Sequence, residues 1–449
     1  MEFVLLGRGE TGLALAKTFR GGVHPPESKE LTQHLPLKPA PAPELVYILL
    51  QQHIGAPCEA LVKKGDRVFW GQKVGDTDAF VSAPVHSSVS GTVKGIETVV
   101  NPQGQRASAV VIENDGEDEP HPDLSPAGAD LESMTPEDIK GIVREAGIVG
   151  MGGAAFPTHV KMSPPEGKVL DMVILNGCEC EPYLTCDHRL MLEFAEEIVF
   201  GLKAVMKGCG VAKGLVGIED NKPDAAEAMR EAADGDPSIE VHLVHTKYPQ
   251  GAEKQLIQAL TGREVPSGGL PLDIGIVVQN VATARAVARA IRHGHPLVDR
   301  PLSVTGGGVK NPVNLFARVG TPLEFLIQQA GGPTEELRRI VLGGPMMGTS
   351  VFTTEIPVAK GTSGILLLGS EETSLWPEKP CIRCGQCVFA CPVGLMPLYL
   401  GDFPDESALQ YRPLDCIECG CCTYVCPSRR MLMHSIRLAK AEAMARDRD

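Results

Sequence analysis

The sequence predicts a multidomain α/β protein that ends in a cysteine-dense module. Three observations carry that expectation. Short β-type runs separated by Gly-Asp and proline turns fill residues 1 to about 125. Strand-like and helix-like runs then alternate to about residue 295, and eight of the 14 cysteines fall in two ordered sets between Cys381 and Cys426. A length of 449 residues allows two to four domains. The composition shifts divide the chain into 1–125, 126–298, 299–370 and 371–449. With 43% hydrophobic and 22% charged residues the chain can bury cores, which excludes a largely disordered protein. A formal charge of −14 would repel a phosphate backbone, which excludes nucleic acid as a partner. No apolar run approaches 18 residues, and the start MEFVLLGRGETG has no basic region followed by a long apolar stretch. Neither a membrane span nor a signal peptide is expected. A reducing compartment follows, in which a disulfide framework is disfavoured.

In the first segment the β-type runs include Val46-Tyr47-Ile48, Ala60-Leu61-Val62 and Arg67-Val68-Phe69. The stretch from Val62 to Ile96 resembles the barrel-sandwich of lipoyl and biotinyl carriers. A carrier presents a modifiable lysine on the hairpin that here reads Thr77-Asp78-Ala79-Phe80. With no lysine in that hairpin, the module reads as a scaffold without a swinging arm. The acidic, proline-containing run Asn114–Asp130 reads as a linker. Thr135-Pro136-Glu137-Asp138 then gives an N-cap, a proline at the first helical position and an acid at the third.

The second segment alternates buried-strand runs (Met172–Leu175, Leu215–Ile218, Val241–Val244, Ile274–Val278) with helical stretches near Arg189–Met206, Asp224–Ala233, Glu253–Leu260 and Thr283–Ile291. That alternation predicts a mostly parallel, Rossmann-like sheet. Residues 302–332 read as a β-grasp unit, followed by strands at Arg339–Leu342 and Gly364–Leu368. The tail carries Arg429, Arg430, Arg437, Lys440, Arg446 and Arg448. It reads as a helix that packs beside the cysteine module, or as one that docks on membrane partners or anionic headgroups.

Both cysteine sets read C-x2-C-x2-C-x3-C-P: Cys381, Cys384, Cys387, Cys391 with Pro392, and Cys416, Cys419, Cys422, Cys426 with Pro427. This is the spacing of two-cluster bacterial ferredoxins. It predicts one [4Fe–4S] cluster on Cys381, Cys384, Cys387 and Cys426, and a second on Cys416, Cys419, Cys422 and Cys391. Zinc sites favour separated C-x2-C pairs and fit less well. Cys421 would upset the spacing and reads as a non-ligand. Cys58, Cys178, Cys180, Cys186 and Cys209 read as structural thiols, and His159 and His188 as ordinary residues.

Gly150-Met151-Gly152-Gly153-Ala154-Ala155 matches a dinucleotide fingerprint, but a helix precedes it where that fingerprint needs a strand. Its neighbours give it meaning. GIVGMGGAAFPTHVK (Gly147–Lys161) is followed by Asn176-Gly177-Cys178-Glu179-Cys180-Glu181-Pro182, Tyr248-Pro249-Gln250-Gly251-Ala252-Glu253 and Val278-Gln279-Asn280-Val281-Ala282-Thr283. In this order the chain resembles the flavin- and NADH-binding subunit of respiratory complex I. The resemblance implies non-covalent FMN on Gly150, Gly152, Lys161, Asn176, Glu179, Gly251, Glu253, Gln279 and Asn280. It implies NAD(H) on Phe156 and Glu181. Cys178 and Ala252 depart from that family's acidic residues and receive no role. The chemistry agrees with these assignments: glycine amides approach a phosphate closely and Lys161 offers it a cation.

The order of modules, with FRGGVHPPESK at Phe19–Lys29, QQHIGAP at Gln51–Pro57, SAPVHSSVSGTV at Ser82–Val93 and NGCECEPYLTCDHRLM at Asn176–Met191, closely resembles the RnfC family of Rnf ferredoxin:NAD+ oxidoreductases. This implies an NAD:ferredoxin oxidoreductase component, peripheral on the cytoplasmic face of a bacterial or archaeal membrane. It would relay electrons between ferredoxin-linked partners and NAD through two clusters and FMN. Its partners would be membrane-embedded subunits and a ferredoxin-type subunit, and those other subunits would translocate Na+ or H+. Two other readings stay open here: a soluble flavin and iron–sulfur reductase similar to cobalamin reductase, and a cluster scaffold that binds no nucleotide.

Overall fold

The computed structural model describes residues 17–128, 130–373, 377–402 and 410–446. The expectations for residues 1–16 and for Arg448 lie outside the described residues. The first strand, β1 (Leu37–Pro39), does not join the barrel. The barrel begins with β2 (Leu45–Leu49) and continues through β3 (Glu59–Ala60), β4 (Arg67–Val68), β5 (Lys73–Asp76), β6 (Val85–His86), β7 (Gly91–Val100) and β8 (Arg106–Asn114). Two antiparallel sheets, ordered β2-β8-β7-β4 and β3-β5-β6, close over Val46, Ile48, Val68, Val74, Val85, Val110 and Ile112. Each of these fully buried side chains contributes about 1.5–3 kcal/mol relative to exposure. The expected run Ala60-Leu61-Val62 shortens to β3 because Leu61 turns into solvent. The chain enters and leaves the barrel at one neck, where the Asn114 amide donates to the Glu44 carbonyl at 2.8 Å.

The α/β segment runs α1 (Pro136–Glu145), α2 (Thr158–Lys161), β9 (Met172–Asn176), α3 (Cys186–Glu193), α4 (Ala195–Cys209), β10 (Gly214–Glu219), α5 (Pro223–Ala232), β11 (Ile239–Val244), α6 (Glu253–Thr261), β12 (Ile276–Asn280) and α7 (Val281–His293). Thr135 and Asp138 form the expected capping box on α1. The four strands are parallel in the order β11-β10-β9-β12. Period-two alternation sends Val173, Leu175, Val216 and Val277 toward α1, α4 and α7. It sends Ile174, Leu215 and Val278 toward Leu256 and Ile257 of α6. Two expectations shift. The helix foreseen over Arg189–Met206 breaks at Phe194 (φ −138°), whose ring is claimed by Phe316 and by the Arg285 guanidinium 4.1 Å away. Ile274 leaves the strand, because Pro271–Ile274 forms a 3-10 turn that ends at Gly275.

The remaining sheet holds β13 (Asp299–Thr305), β14 (Val313–Arg318), β15 (Arg339–Leu342), β16 (Thr349–Val351) and β17 (Gly364–Leu368), with α8 (Leu323–Gln329) packed against it. Its order is β1-β14-β13-β17-β15-β16, so the β-grasp unit, the strands after it and the pre-barrel strand share one layer. The cysteine module carries α9 (Gln386–Ala390), α10 (Pro397–Asp402), α11 (Cys421–Tyr424) and α12 (Leu432–Arg446). Leu432, Ile436, Ala439 and Ala443 form the buried stripe of α12 at helical spacing. Among the described residues, no helix is long and apolar enough to cross a membrane.

Candidate functional site

In an open parallel sheet the functional crevice lies beyond the carboxyl ends of the strands. Here those ends are Asn176 on β9 and Asn280 on β12, directly paired in register. The Asn176 side-chain amide donates to the Gly251 carbonyl at 2.7 Å, while its oxygen accepts the Cys178 amide. Lys161 Nζ donates to Glu253 Oε1 at 2.8 Å and to the Val278 carbonyl at 3.1 Å. Asn280 caps α7 through Ala282 and donates to Asp187 at 2.6 Å. The glycine-rich turn is closed by Gly150 donating to the Phe156 carbonyl at 2.8 Å, and a Cβ on Gly152 would stand 3.5 Å from Asn280 Cβ. These contacts bring Gly150, Gly152, Lys161, Asn176, Gly251, Glu253 and Asn280 around one crevice, with Phe156 at the turn. Gln279 precedes Asn280 on the same strand end.

The strand-end loop after Asn176 is held from outside. Glu179, at φ +47°, caps α3 by accepting the Asp187 and His188 amides at 2.7 and 3.1 Å. Lys29, 4% exposed, donates its ammonium to the carbonyls of Glu179, Glu181 and Leu184 at 2.8, 3.0 and 2.6 Å. Lys222, also buried, donates to the Cys178 carbonyl, Glu219 and Asn221. Burial lowers the Lys29 pKa, with Lys222 adding to that; for Lys222, burial is outweighed by Glu219 and Glu179, which raise it. Glu181 accepts the Met346 and Met347 amides at 3.0 and 2.9 Å, so both its oxygens are engaged. Burial pushes its carboxyl up to about 7. Asp187 is likewise raised to about 7 by burial and then by Glu179. Lys29, Lys222 and Asp187 were missed in the sequence. Lys29 lies within the Phe19–Lys29 motif, and nothing local to it signals partners at least 150 residues away.

The crevice suits a flavin phosphate and its polar ring edge. Gln250 is fully buried beside Gly251, and neither end of its amide has a partner among the described residues. The Gln279 Nε2 is buried and equally unpaired. Unpaired buried amides of this kind are free to bond an ordered water or a polar ligand. Cys178 and Cys186 are buried thiols whose pKa burial raises well above normal, so they are not thiolate nucleophiles.

The two cysteine segments repeat one another. Arg383 and Glu418 (φ +54° and +57°) donate their amides to Cys381 Sγ and Cys416 Sγ, each at 3.4 Å. Gly385 and Gly420 (φ +77° and +78°) then open α9 and α11. Cys391 lines one cavity with Cys416, Cys419, Cys421 and Cys422, and none of Cys381, Cys384 and Cys387 lines it. Burial raises the Cys387 thiol, and Cys426 adds to the rise. The Cys421 thiol donates to the Tyr248 carbonyl at 3.9 Å. Surroundings distinguish the two sets. Cys384 is exposed, flanked by Ile382 and Phe389 at 67% and 80% exposure. Cys419 and Cys422 are buried, and Cys419 and Cys421 pack with Val23, Tyr248 and Cys180 of the flavin side. The Tyr248 hydroxyl donates to the Cys419 carbonyl at 2.9 Å. In the tail, Arg437 and Lys440 both grip Glu418. The helix thus packs beside the cysteine module, with Leu438 and Met444 exposed on its outer side.

Known proteins resemble the chain module by module and as a whole. Residues 17–117 match the model of the RnfC barrel sandwich hybrid domain and 143–289 that of the Nuo51 FMN-binding domain. Residues 302–350 match the SLBB domain and 380–429 the 4Fe-4S dicluster domain. The chain is 52% identical over 435 residues to the C component of the Na(+)-translocating ferredoxin:NAD(+) oxidoreductase complex of Acetobacterium woodii, covering 96% of this chain and 98% of that one. It is 49% identical to the C component of the proton-translocating ferredoxin:NAD(+) oxidoreductase complex of Clostridium ljungdahlii, covering 96% and 95%. A chain of an NAD+-reducing [NiFe]-hydrogenase aligns in structure with a TM-score of 0.49 at 20% identity, over 73% of this chain and 65% of that one.

Proposed function

The chain belongs to the RnfC family of ion-translocating ferredoxin:NAD+ oxidoreductase complexes, and from that premise we propose that it relays electrons between a ferredoxin-type partner and NAD. The observation that carries this reading is the shared wall between the flavin crevice and one cysteine set. Tyr248 belongs to the segment that supplies Gly251 to the crevice, and its hydroxyl reaches the Cys419 carbonyl.

In this reading Lys161 and the amides of the Gly150–Gly153 turn hold the FMN phosphate, while Asn176, Gln250, Gln279 and Asn280 bind its polar edges. FMN, when bound, joins two-electron hydride chemistry to one-electron cluster chemistry. Lys29 and Lys222 hold the strand-end loop under the ring and keep water out of its base. Cys381, Cys384, Cys387 and Cys426 ligate the outer cluster, and Cys391, Cys416, Cys419 and Cys422 the one facing the flavin. Electrons from the partner enter at the exposed Cys384 face. Phe156 stacks on the nicotinamide. Glu181 takes the ribose hydroxyls after releasing the Met346 and Met347 amides. The protein sits peripherally on the cytoplasmic face of the membrane, beside membrane-embedded subunits that move the ion.

The test is an anaerobic preparation of the full chain with both cofactors supplied. NADH should bleach a yellow flavin band and then raise two cluster EPR signals. A colourless preparation, or one that leaves NADH unoxidised, overturns the reading. Glu181→Ala should raise KM for NADH about tenfold to a hundredfold with flavin content unchanged. Loss of flavin at constant KM would remove Glu181 from the nucleotide site.

A further inference from the structure

The segment from Phe19 to Lys29 belongs neither to the barrel nor to the α/β segment. It threads between the flavin crevice and the inner cysteine set. The Val23 amide donates to the Tyr248 carbonyl at 2.8 Å and the Tyr248 amide returns the bond at 2.9 Å. One residue earlier, the Gly22 amide donates to the Ala390 carbonyl at 2.9 Å, next to Cys391. Farther along, the Glu27 carbonyl accepts the Tyr183 amide and Lys29 ties the strand-end loop. Lys247 holds the start of the segment, donating to the Phe19 carbonyl at 2.8 Å and standing 4.4 Å from the Phe19 ring centre.

Two glycines make this passage possible. Gly21 and Gly22 adopt φ +81° and +80°. A Cβ on Gly21 would lie 2.7 Å from the Cys391 carbonyl oxygen and 3.2 Å from Pro392 Cα. A Cβ on Gly22 would lie 2.6 Å from the Tyr248 carbonyl oxygen. These neighbours are backbone atoms, so they cannot swing aside as a flexible side chain would. A side chain at either position pushes the Cys391 turn and the Tyr248 segment apart.

We infer that the Phe19–Lys29 segment is a ligature that sets the spacing between the flavin and the inner cluster, with Gly21 and Gly22 as positioning residues for the one-electron step. The inference rests on the flavin and cluster assignment above. One NADH delivers a hydride, which carries two electrons and one proton. The two clusters each take one electron and the proton leaves to solvent. The hydride step needs the crevice alone, whereas the one-electron steps need the crevice and the inner cluster at a fixed separation.

The experiment compares wild type with Gly21→Ala and Lys247→Met in stopped-flow mixing with NADH, plus EPR of dithionite-reduced samples. Gly104→Ala serves as the strain control, because Gly104 has φ +78° with nothing within 4 Å of its Cβ position. In Gly21→Ala, flavin bleaching should stay within about twofold of wild type, while cluster reduction slows about tenfold or more. The EPR line shape of the inner cluster should change and that of the outer cluster should not. Gly104→Ala should match wild type throughout. If Gly21→Ala does not fold, Lys247→Met decides, since it releases the Phe19 end of the segment and should slow cluster reduction several-fold. Cluster reduction and line shape unchanged in the folded variants would overturn the ligature, as would equal slowing of bleaching and cluster reduction. Failure of the underlying assignment shows instead in wild type, as absent bleaching or absent EPR signals.

Discussion

The cysteine segments and the loop from Cys178 to Leu184 are both short turns that carry chemistry, but they are held in opposite ways. Each cysteine segment is shaped mainly by its own neighbours. The amides of Arg383 and Glu418 bond the cysteine two residues back, and Gly385 and Gly420 turn the chain into the next helix. The Cys178–Leu184 loop has little such local support. Its carbonyls are gathered by Lys29, and its carboxylates are taken by α3 and by the Met346–Met347 turn. A locally encoded turn can be duplicated with its function intact, and the two cysteine sets are such a pair. A remotely held turn is tied to the rest of one particular fold.

The largest effect should come from breaking the one non-local element of the cysteine segments. Cys391→Ser should abolish or convert the cluster shared with Cys416, Cys419 and Cys422 and spare the other, read by EPR and iron content. Adding Cys384→Ser should then damage both clusters, whereas adding Cys419→Ser should leave the outer one intact. Damage to a single cluster in the first combination would mean that each segment serves itself.

Lys29→Met attacks the remotely held loop. It strands three carbonyls in a buried setting, each costing about 1–3 kcal/mol when left unpaired. The expected result is a lower melting temperature and loss of flavin, with both cluster signals retained. Equal loss of clusters and flavin would erase the contrast between the two regions.

Glu181 offers a smaller, pH-dependent probe. Its carboxyl is raised from 4.5 to about 7 by burial, so the folded state holds a proton that the unfolded state has released between those values. Stability therefore declines as pH rises from 4.5 through 7, and the penalty is complete above that window. Glu181→Gln lacks this titration. Its stability relative to wild type should rise by about 1–3 kcal/mol between about pH 4.5 and 8, measured by urea midpoints. A pH-independent difference would show that the carboxyl is not the titrating group.

The smallest effect belongs to the surface. Arg437→Met removes a half-exposed ion pair with Glu418 and should change stability by less than about 1 kcal/mol, with both EPR signals unmoved.

The same contrast governs what is legible in the chain without its fold. The strand runs, the Thr135–Asp138 cap, the module order and both cysteine sets rest on residues a few positions apart, and they can be read directly. The glycine turn, Lys161, Asn176 and Asn280 are legible only as a succession of motifs, and the structure brings them to one crevice. The break at Phe194 is hidden, because Phe316 and Arg285 override local helix propensity there. Lys29 is equally hidden: its partners lie at least 150 residues onward, and no local pattern marks a lysine that will be buried.

Residues before β2 join the body through β1, the run Asp115–His121 returns along the barrel, and the chain rejoins the body where the Ala127 amide donates to the Ile291 carbonyl; the first and last barrel strands touch, Glu44 against Asn114. The barrel is therefore an insertion on a closed stem, not a leading domain. A linker replacing Glu44–His121 would excise it together with the return run that packs on it. What the excision would lose includes the grip of Arg318 on Ser88 and Asp118, of Lys360 on Pro84, of Arg144 on Asp76, and the bond from the Ile54 amide to the Ala155 carbonyl beside the glycine turn. A foreign domain whose own termini lie side by side could be spliced into the same stem, which makes it a socket for attaching new modules to an electron-transfer core.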